Sequence, residues 1–220
     1  MSATQETPDA LLFIAPGCPH CPTVLAAMSE LVKQALVGRL EVVNIAVHPQ
    51  RAEQLGVRSV PWLKLGEFEL EGLHSTAELR RWAERANTPA GVADYFSTQL
   101  KRGRLPQVAR MVADRPERLA ALLALAEDPD TELAVRVGVS AVIEDFAGSA
   151  DLLAQLPALQ RLAVSRDPRV RADACHFLAL TESPAALSTL EQLAQDSERS
   201  VRDIAQDCLV DLQDGVNTGN

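Results

Sequence analysis

The chain has 220 residues, a formal charge of −9 and 47% hydrophobic residues, enough for one large buried core or two small ones. The acid excess is uneven, with 10 acidic against 8 basic residues up to Thr88 and 20 against 13 beyond it, which argues against nucleic acid as a partner. Four unevenly spaced cysteines exclude a disulfide-stapled secreted fold, and the absence of any eighteen-residue apolar run excludes a membrane span.

Met1 to Ala10 is polar and acidic, with no cationic stretch leading into an apolar run, so no leader is expected and the cytoplasm is the expected compartment. Leu11 to Ile14 reads as a buried strand ended by Ala15-Pro16-Gly17. Val24, Leu25, Met28, Leu31, Val32 and Leu36 then recur at the spacing of an amphipathic helix. Leu40 to Val47 is a second strand and Gln50 to Leu55 a short helix closed by Gly56. Trp62 to Leu65 and Phe68 to Leu70 form a hairpin about Gly66-Glu67, and Thr76 to Ala86 a helix capped by Ser75 or Thr76. A helical crossover joins the first two strands, which should therefore be parallel.

Beyond Asn87-Thr88-Pro89-Ala90-Gly91, read as a break, no strand is expected, and helices fill Asp94 to Leu212. Three Asp-led turns each precede a helix carrying Val-Arg: Val135-Arg136, Val170-Arg171 and Val201-Arg202. Aligned on that pair, Ala174 falls at Ala205, Phe177 at Cys208 and Leu178 at Leu209. Partner helices lie between, at Ala150–Val164 and Pro184–Ala194, and helix pairs repeating in this way stack as a solenoid. The repeated Arg is expected to bond carbonyls or carboxylates across successive turns, a structural task. The array resembles HEAT-type repeats, so the expected architecture is an α/β domain over residues 1–88 followed by an all-α HEAT-like domain over 89–220.

Cys18-Pro19-His20-Cys21 stands where the first strand turns into the first helix. At a helix N-terminus, unpaired N–H groups favour the Cys18 thiolate, and Pro19 suits a first helical turn. Cys21 lies one turn deeper, and His20 can donate to the Cys18 sulfur or stabilise its charge. Cys-x-x-Cys also serves as half of a zinc site or as part of an iron–sulfur site shared by two chains. A zinc site wants a second ligand pair, however, and Cys175 and Cys208 stand isolated, read as small buried hydrophobes, so no metal or other cofactor is expected. His48 and His74 read as solvated residues at chain turns.

Val60-Pro61 precedes the third strand, forty residues after Cys21 is Pro61, and Gly72 follows. With the Cys pair, these residues resemble the thioredoxin superfamily from about Asp9 to Ala86, with the compact length of small thioredoxins and glutaredoxin-like modules. The resemblance implies that Pro61 is cis and faces the Cys pair, and that the Val60 backbone pairs with substrate. Trp62 reads as core or groove, with a substrate platform as its functional alternative. Leu12 stands where the family has a buried Asp and Val42 near its Lys, so the family's proton relay to the second cysteine is not implied. The Pro-His dipeptide resembles DsbA-type oxidases, which implies a couple more oxidising than thioredoxin.

The expected function is thiol–disulfide exchange through Cys18 and Cys21, with His20 and Pro61 completing the catalytic set and Val60 and Trp62 meeting substrate. The expected partners are protein disulfides or dithiols and a protein docked on the helical repeats. The alternative is an interaction adaptor whose thioredoxin-like module senses redox state or is vestigial.

Overall fold

A computed structural model describes residues 7–218, which divide between Val92 and Ala93 into two compact units. The part of the N-terminal reading that concerns residues 1–6 lies outside the described residues. In the first unit β1 (Ala10–Ile14), α1 (Cys21–Lys33), β2 (Leu40–Asn44), α2 (Pro49–Gln54), β3 (Trp62–Leu65), β4 (Phe68–Glu71) and α3 (Thr76–Arg85) follow in order. The sheet order is β2-β1-β3-β4, with β1 parallel to β2 and antiparallel to β3. The parallel pair depends on the crossover through α1, while Gly66, at φ +57°, turns β3 into β4.

Alternation along the strands gives the sheet two buried faces. Leu12, Leu63, Leu65, Phe68 and Leu70 point to the side where α1 packs on α3, and Phe68 meets Trp82 of α3 edge-on at 5.3 Å. Phe13, Val43 and Trp62 point the other way and cluster with Ala52 of α2. Each large aliphatic side chain so buried contributes roughly 1.5–3 kcal/mol against exposure. A capping box starts α3: Ser75 Oγ accepts from the Glu78 N–H at 3.2 Å, and the Glu78 carboxylate accepts from the Ser75 N–H at 2.8 Å.

Two readings of this unit change. β2 stops at Asn44 rather than Val47, because Asn44 Oδ1 accepts from the Ala46 N–H at 3.0 Å while its carbonyl takes the Val47 and His48 N–H groups, turning the chain. His74 is not solvated: it is 7% exposed, behind the Ser75 cap.

The helices that follow are α4 (Pro89–Lys101), α5 (Leu105–Asp114), α6 (Leu119–Glu127), α7 (Leu133–Glu144), α8 (Ala150–Leu153), α9 (Leu156–Leu162), α10 (Pro168–Ala179), α11 (Leu187–Leu193) and α12 (Arg199–Thr218). Pro89 to Gly91 is no break but the first turn of α4, with the Thr88 hydroxyl accepting from the Gly91 N–H at 2.9 Å and Pro89 placed where a missing N–H costs nothing. The segment Ala150–Val164 is two helices, because Pro157 lacks the N–H that the Leu153 carbonyl would need. Pro184–Ala186 is likewise a 3-10 turn ahead of α11.

Helices α6 with α7, α9 with α10, and α11 with α12 pack as pairs, while α7, α10 and α12 lie side by side in that order. The repeated arginines lock this layer. Arg136 donates to the Ala126 and Asp128 carbonyls and to the Asp173 carboxylate of the next repeat. Arg171 donates to the Ser165 carbonyl at 2.9 Å and holds both Asp196 oxygens at 2.7 Å. Arg202 donates to the Asp196 and Ser197 carbonyls. Each guanidinium thus satisfies carbonyls of the turn before its own helix, and the first two also reach a carboxylate one repeat on.

The Arg171–Asp196 pair is mostly buried, with the side chains 13% and 10% exposed. Removing one partner strands the other charge, so Arg171→Ala should lower unfolding free energy by about 2–4 kcal/mol in denaturant titration. The Arg171 hydrogen bonds hold the Asp196 carboxyl below its ordinary value. A depressed carboxyl contributes stability above its unfolded pKa and loses it as pH falls through the folded value. The stability gap between wild type and Arg171→Ala should therefore narrow on acidification below about pH 4; a pH-independent gap would contradict the pairing.

Candidate active site

The pairing of Phe13 with Trp62 brings the C-terminal end of β1 and the N-terminal end of β3 to one end of the sheet. The loop after β1 and the residues before β3 therefore face each other. Gly17 adopts φ +76°, and a Cβ there would meet nothing within 4 Å, so glycine serves the backbone turn rather than a close approach. The Cys18 N–H donates to the Ala15 carbonyl at 3.3 Å, closing that turn ahead of the cysteine.

Cys18 and Cys21 are joined as a disulfide, with Cα atoms 5.5 Å apart. The expected helix start is displaced: α1 begins at Cys21 with Pro22 in its first turn, His20 is the N-cap residue, and Pro19 lies outside the helix. Two prolines compete for the first-turn position, and Pro22 takes it because Cys18 to His20 are needed to bring one sulfur back over the helix end. Cys18 still meets the helix N-terminus, since the Cys21 N–H donates to Cys18 Sγ at 3.2 Å. That N–H has no partner within the helix, and its dipole favours negative charge on the sulfur. The sequence reading set unpaired N–H groups of the helix N-terminus against Cys18, and the donor is the N–H of Cys21, because the helix starts there rather than at Pro19.

Cys18 is half-buried, whereas Cys21 is 4% exposed. His20 is exposed and makes no side-chain cap bond; among the described residues no hydrogen bond joins its ring to either sulfur. Val60-Pro61 is cis, Pro61 is buried, and the Val60 carbonyl oxygen lies 3.6 Å from Cys18 Sγ. The Gly72 N–H donates to the Pro61 carbonyl at 2.9 Å, extending the hairpin to the site. Cys18 Sγ thus sits between the Cys21 N–H and the Val60 carbonyl oxygen.

Trp62 does not serve as a platform. Its ring is 3% exposed and edge-on to Phe13 at 5.6 Å, so it has no face to offer a substrate and instead anchors the start of β3 in the core. Leu12 is fully buried and supplies no proton acceptor to the sheet behind Cys21. The other cysteines stand apart from this site. Cys175 and Cys208 are buried in the second unit, and burial pushes their thiols up to about 12 and about 11. His176 forms no dyad with Cys175: it meets Glu144 at 3.1 Å, while the Cys175 thiol donates to the Arg171 carbonyl. Among the described residues no group of three or more His, Cys, Asp or Glu side chains is placed to hold a metal, and no helix is long and apolar enough to cross a membrane.

Comparison with known proteins agrees with this arrangement. The thioredoxin domain model matches residues 11–84, and the HEAT repeat model matches residues 119–210. A thioredoxin from Methanocaldococcus jannaschii is 32% identical over 63 residues, which cover 28% of this chain and 74% of that protein. The paired cysteines at the head of α1, the cis proline opposite them and these matches lead to one conclusion: the chain belongs to the thioredoxin family through its first unit, and HEAT repeats follow that unit.

Proposed function

We propose that the protein is a thiol–disulfide oxidoreductase whose HEAT repeats dock a protein partner. The observation that carries the redox part is the Cys18–Cys21 disulfide, with one sulfur accessible beside the Val60 backbone and the other shielded. In the reducing direction the dithiol supplies two electrons. The Cys18 thiolate attacks a substrate disulfide, an S–S bond forms to Cys18, and the distal substrate sulfur leaves as a thiolate. Cys21, once deprotonated, attacks Cys18 Sγ, releases the second substrate thiolate and closes the Cys18–Cys21 disulfide; oxidation runs the same steps in reverse.

In this reading the Cys21 N–H raises the thiolate fraction of Cys18 and makes it a better leaving group, and Pro61 holds the Val60 backbone against the site. His20 is exposed one residue before Cys21, where its cationic form would favour the reduced, thiolate-bearing state. The docking part rests on the second unit, whose ordered, acidic helical layer offers surface but no redox pair. The proposed substrates are protein disulfides, and the proposed compartment is the cytoplasm.

Four measurements check this reading. In the reduced full chain, Cys18 should be alkylated at least about tenfold faster than Cys21, because only Cys18 is both accessible and bonded to a free helix N–H; faster labelling of Cys21 would reverse the roles. Turnover of a glutathione mixed disulfide should be abolished by Cys18→Ser. Cys21→Ala should accumulate protein mixed disulfides on Cys18, and their yield should fall with added salt if an acidic array docks the substrates. A folded full chain that exchanges no disulfide would favour the adaptor instead. His20→Pro should shift equilibrium with a glutathione buffer toward a more reducing couple, by removing the imidazole beside the cysteine pair.

A further inference from the structure

Two aligned rows of α7, α10 and α12 run from apolar to acidic across the helical layer, between a row Leu133, Pro168, Arg199 and a row Asp145, Leu180, Asp211 that do not. One row runs Val137, Ala172, Asp203, and the next Ala141, His176, Asp207. Val137 is 61% exposed, and Leu133, one turn earlier on α7, is 77% exposed. A cavity of about 280 Å³ opens beside them, lined by Thr131, Leu133, Arg136, Arg169, Ala172 and Asp173. Its charged groups are already engaged, Arg136 with Asp173 and Arg169 with Asp167 and the Pro129 carbonyl. An incoming polar group would have to displace those bonds, whereas an aliphatic side chain would cover Leu133 and Ala172 without breaking any.

At the other edge Asp203, Asp207 and Asp211 stand four residues apart, exposed on one stripe of α12. Like charges at this spacing oppose one another along a helix. Arg199 meets Asp203 at 3.4 Å, but both side chains are more than half exposed, so the pair offsets little of that repulsion. A cation from a partner would relieve it.

We infer that the α7–α10–α12 face docks an extended protein segment that seats an aliphatic side chain beside Leu133 and Val137 and sets lysines or arginines against the α12 aspartates. This deepens the docking reading above and rests on it. Neighbouring helices lie about 8–10 Å apart, so α7 and α12 are separated by about 16–20 Å. An extended chain covers that in about five or six residues, which sets the spacing between the anchor and the basic cluster.

The test uses the full chain and a labelled synthetic peptide bearing a leucine pair and a lysine triplet about five residues apart, read by fluorescence anisotropy. Val137→Glu, and separately Asp203→Lys with Asp207→Lys, should each weaken binding about tenfold, whereas Glu191→Lys on α11 should change it less than about twofold. All these positions are solvent-facing, and thermal melts confirm that each variant is folded. Absence of binding, an equal loss from Glu191→Lys, or equal binding of the peptide with glutamates for lysines would overturn the proposal. Val137-dependent self-association in sedimentation would assign the face to a second copy and overturn it too. Salt-sensitive trapping by Cys21→Ala that Val137→Glu leaves unchanged would keep the docking reading and overturn only this surface. Reduction of a glutathione mixed disulfide, followed in the Val137, Asp203/Asp207 and Glu191 variants with both redox cysteines intact, reads the redox centre separately and should not change.

Discussion

The site depends on one constraint, the place of β1 in the middle of the sheet with a parallel neighbour on one side and an antiparallel neighbour on the other. The antiparallel neighbour returns to the end of the sheet where β1 finishes, so the loop carrying Cys18 must meet the residues leading into Trp62. The buried Phe13–Trp62 contact fixes that register from the core side. A slip of β3 by one residue would turn Trp62 to the face opposite Phe13 and carry Val60 away from Cys18. The chemistry at the surface is thus held by packing beneath it, and Trp62 serves the site more by burial than it could by exposure.

The second unit uses a different lock. Its helices are rich in Ala, Val and Leu, which pack closely but specify register weakly. The arginines supply the register: each ties its helix to the turn before it, and Arg136 and Arg171 also reach a carboxylate of the next repeat. Asp173 and Asp196 feel this differently: burial raises the Asp173 carboxyl despite Arg136, whereas two hydrogen bonds from Arg171 lower Asp196. A layer held in this way presents its outer side chains at fixed spacing, a condition for recognising an extended segment without reordering the array.

Much of this was legible in the sequence because the decisive signals are local. The Cys-x-x-Cys pair after an apolar run, Val60-Pro61 before another, and the β-α-β-α-β-β-α order all emerge from residue type and period. The Val-Arg recurrence revealed the repeats and the structural role of Arg136, Arg171 and Arg202. The misreadings fall where short-range chemistry competes. Two prolines bracket the helix start, and the choice of Pro22 over Pro19 depends on the sulfur folding back to the Cys21 N–H. Asn44 ends a strand that hydropathy would continue to Val47. The burial of His74 follows from tertiary packing that no local pattern records, and the gradient across α7, α10 and α12 emerges only when helices distant in sequence lie side by side.

The central claim is that Cys18 and Cys21 together carry a two-electron exchange. Its most direct test is to mix the fully reduced chain with a limiting protein disulfide, count the thiols released, and map the cysteines of the product by peptide mass analysis. One substrate disulfide should be reduced per chain oxidised, with Cys18 linked to Cys21 and with Cys175 and Cys208 still free. Transfer that leaves Cys18 and Cys21 as thiols, or that oxidises Cys175 or Cys208 in their place, would contradict the account.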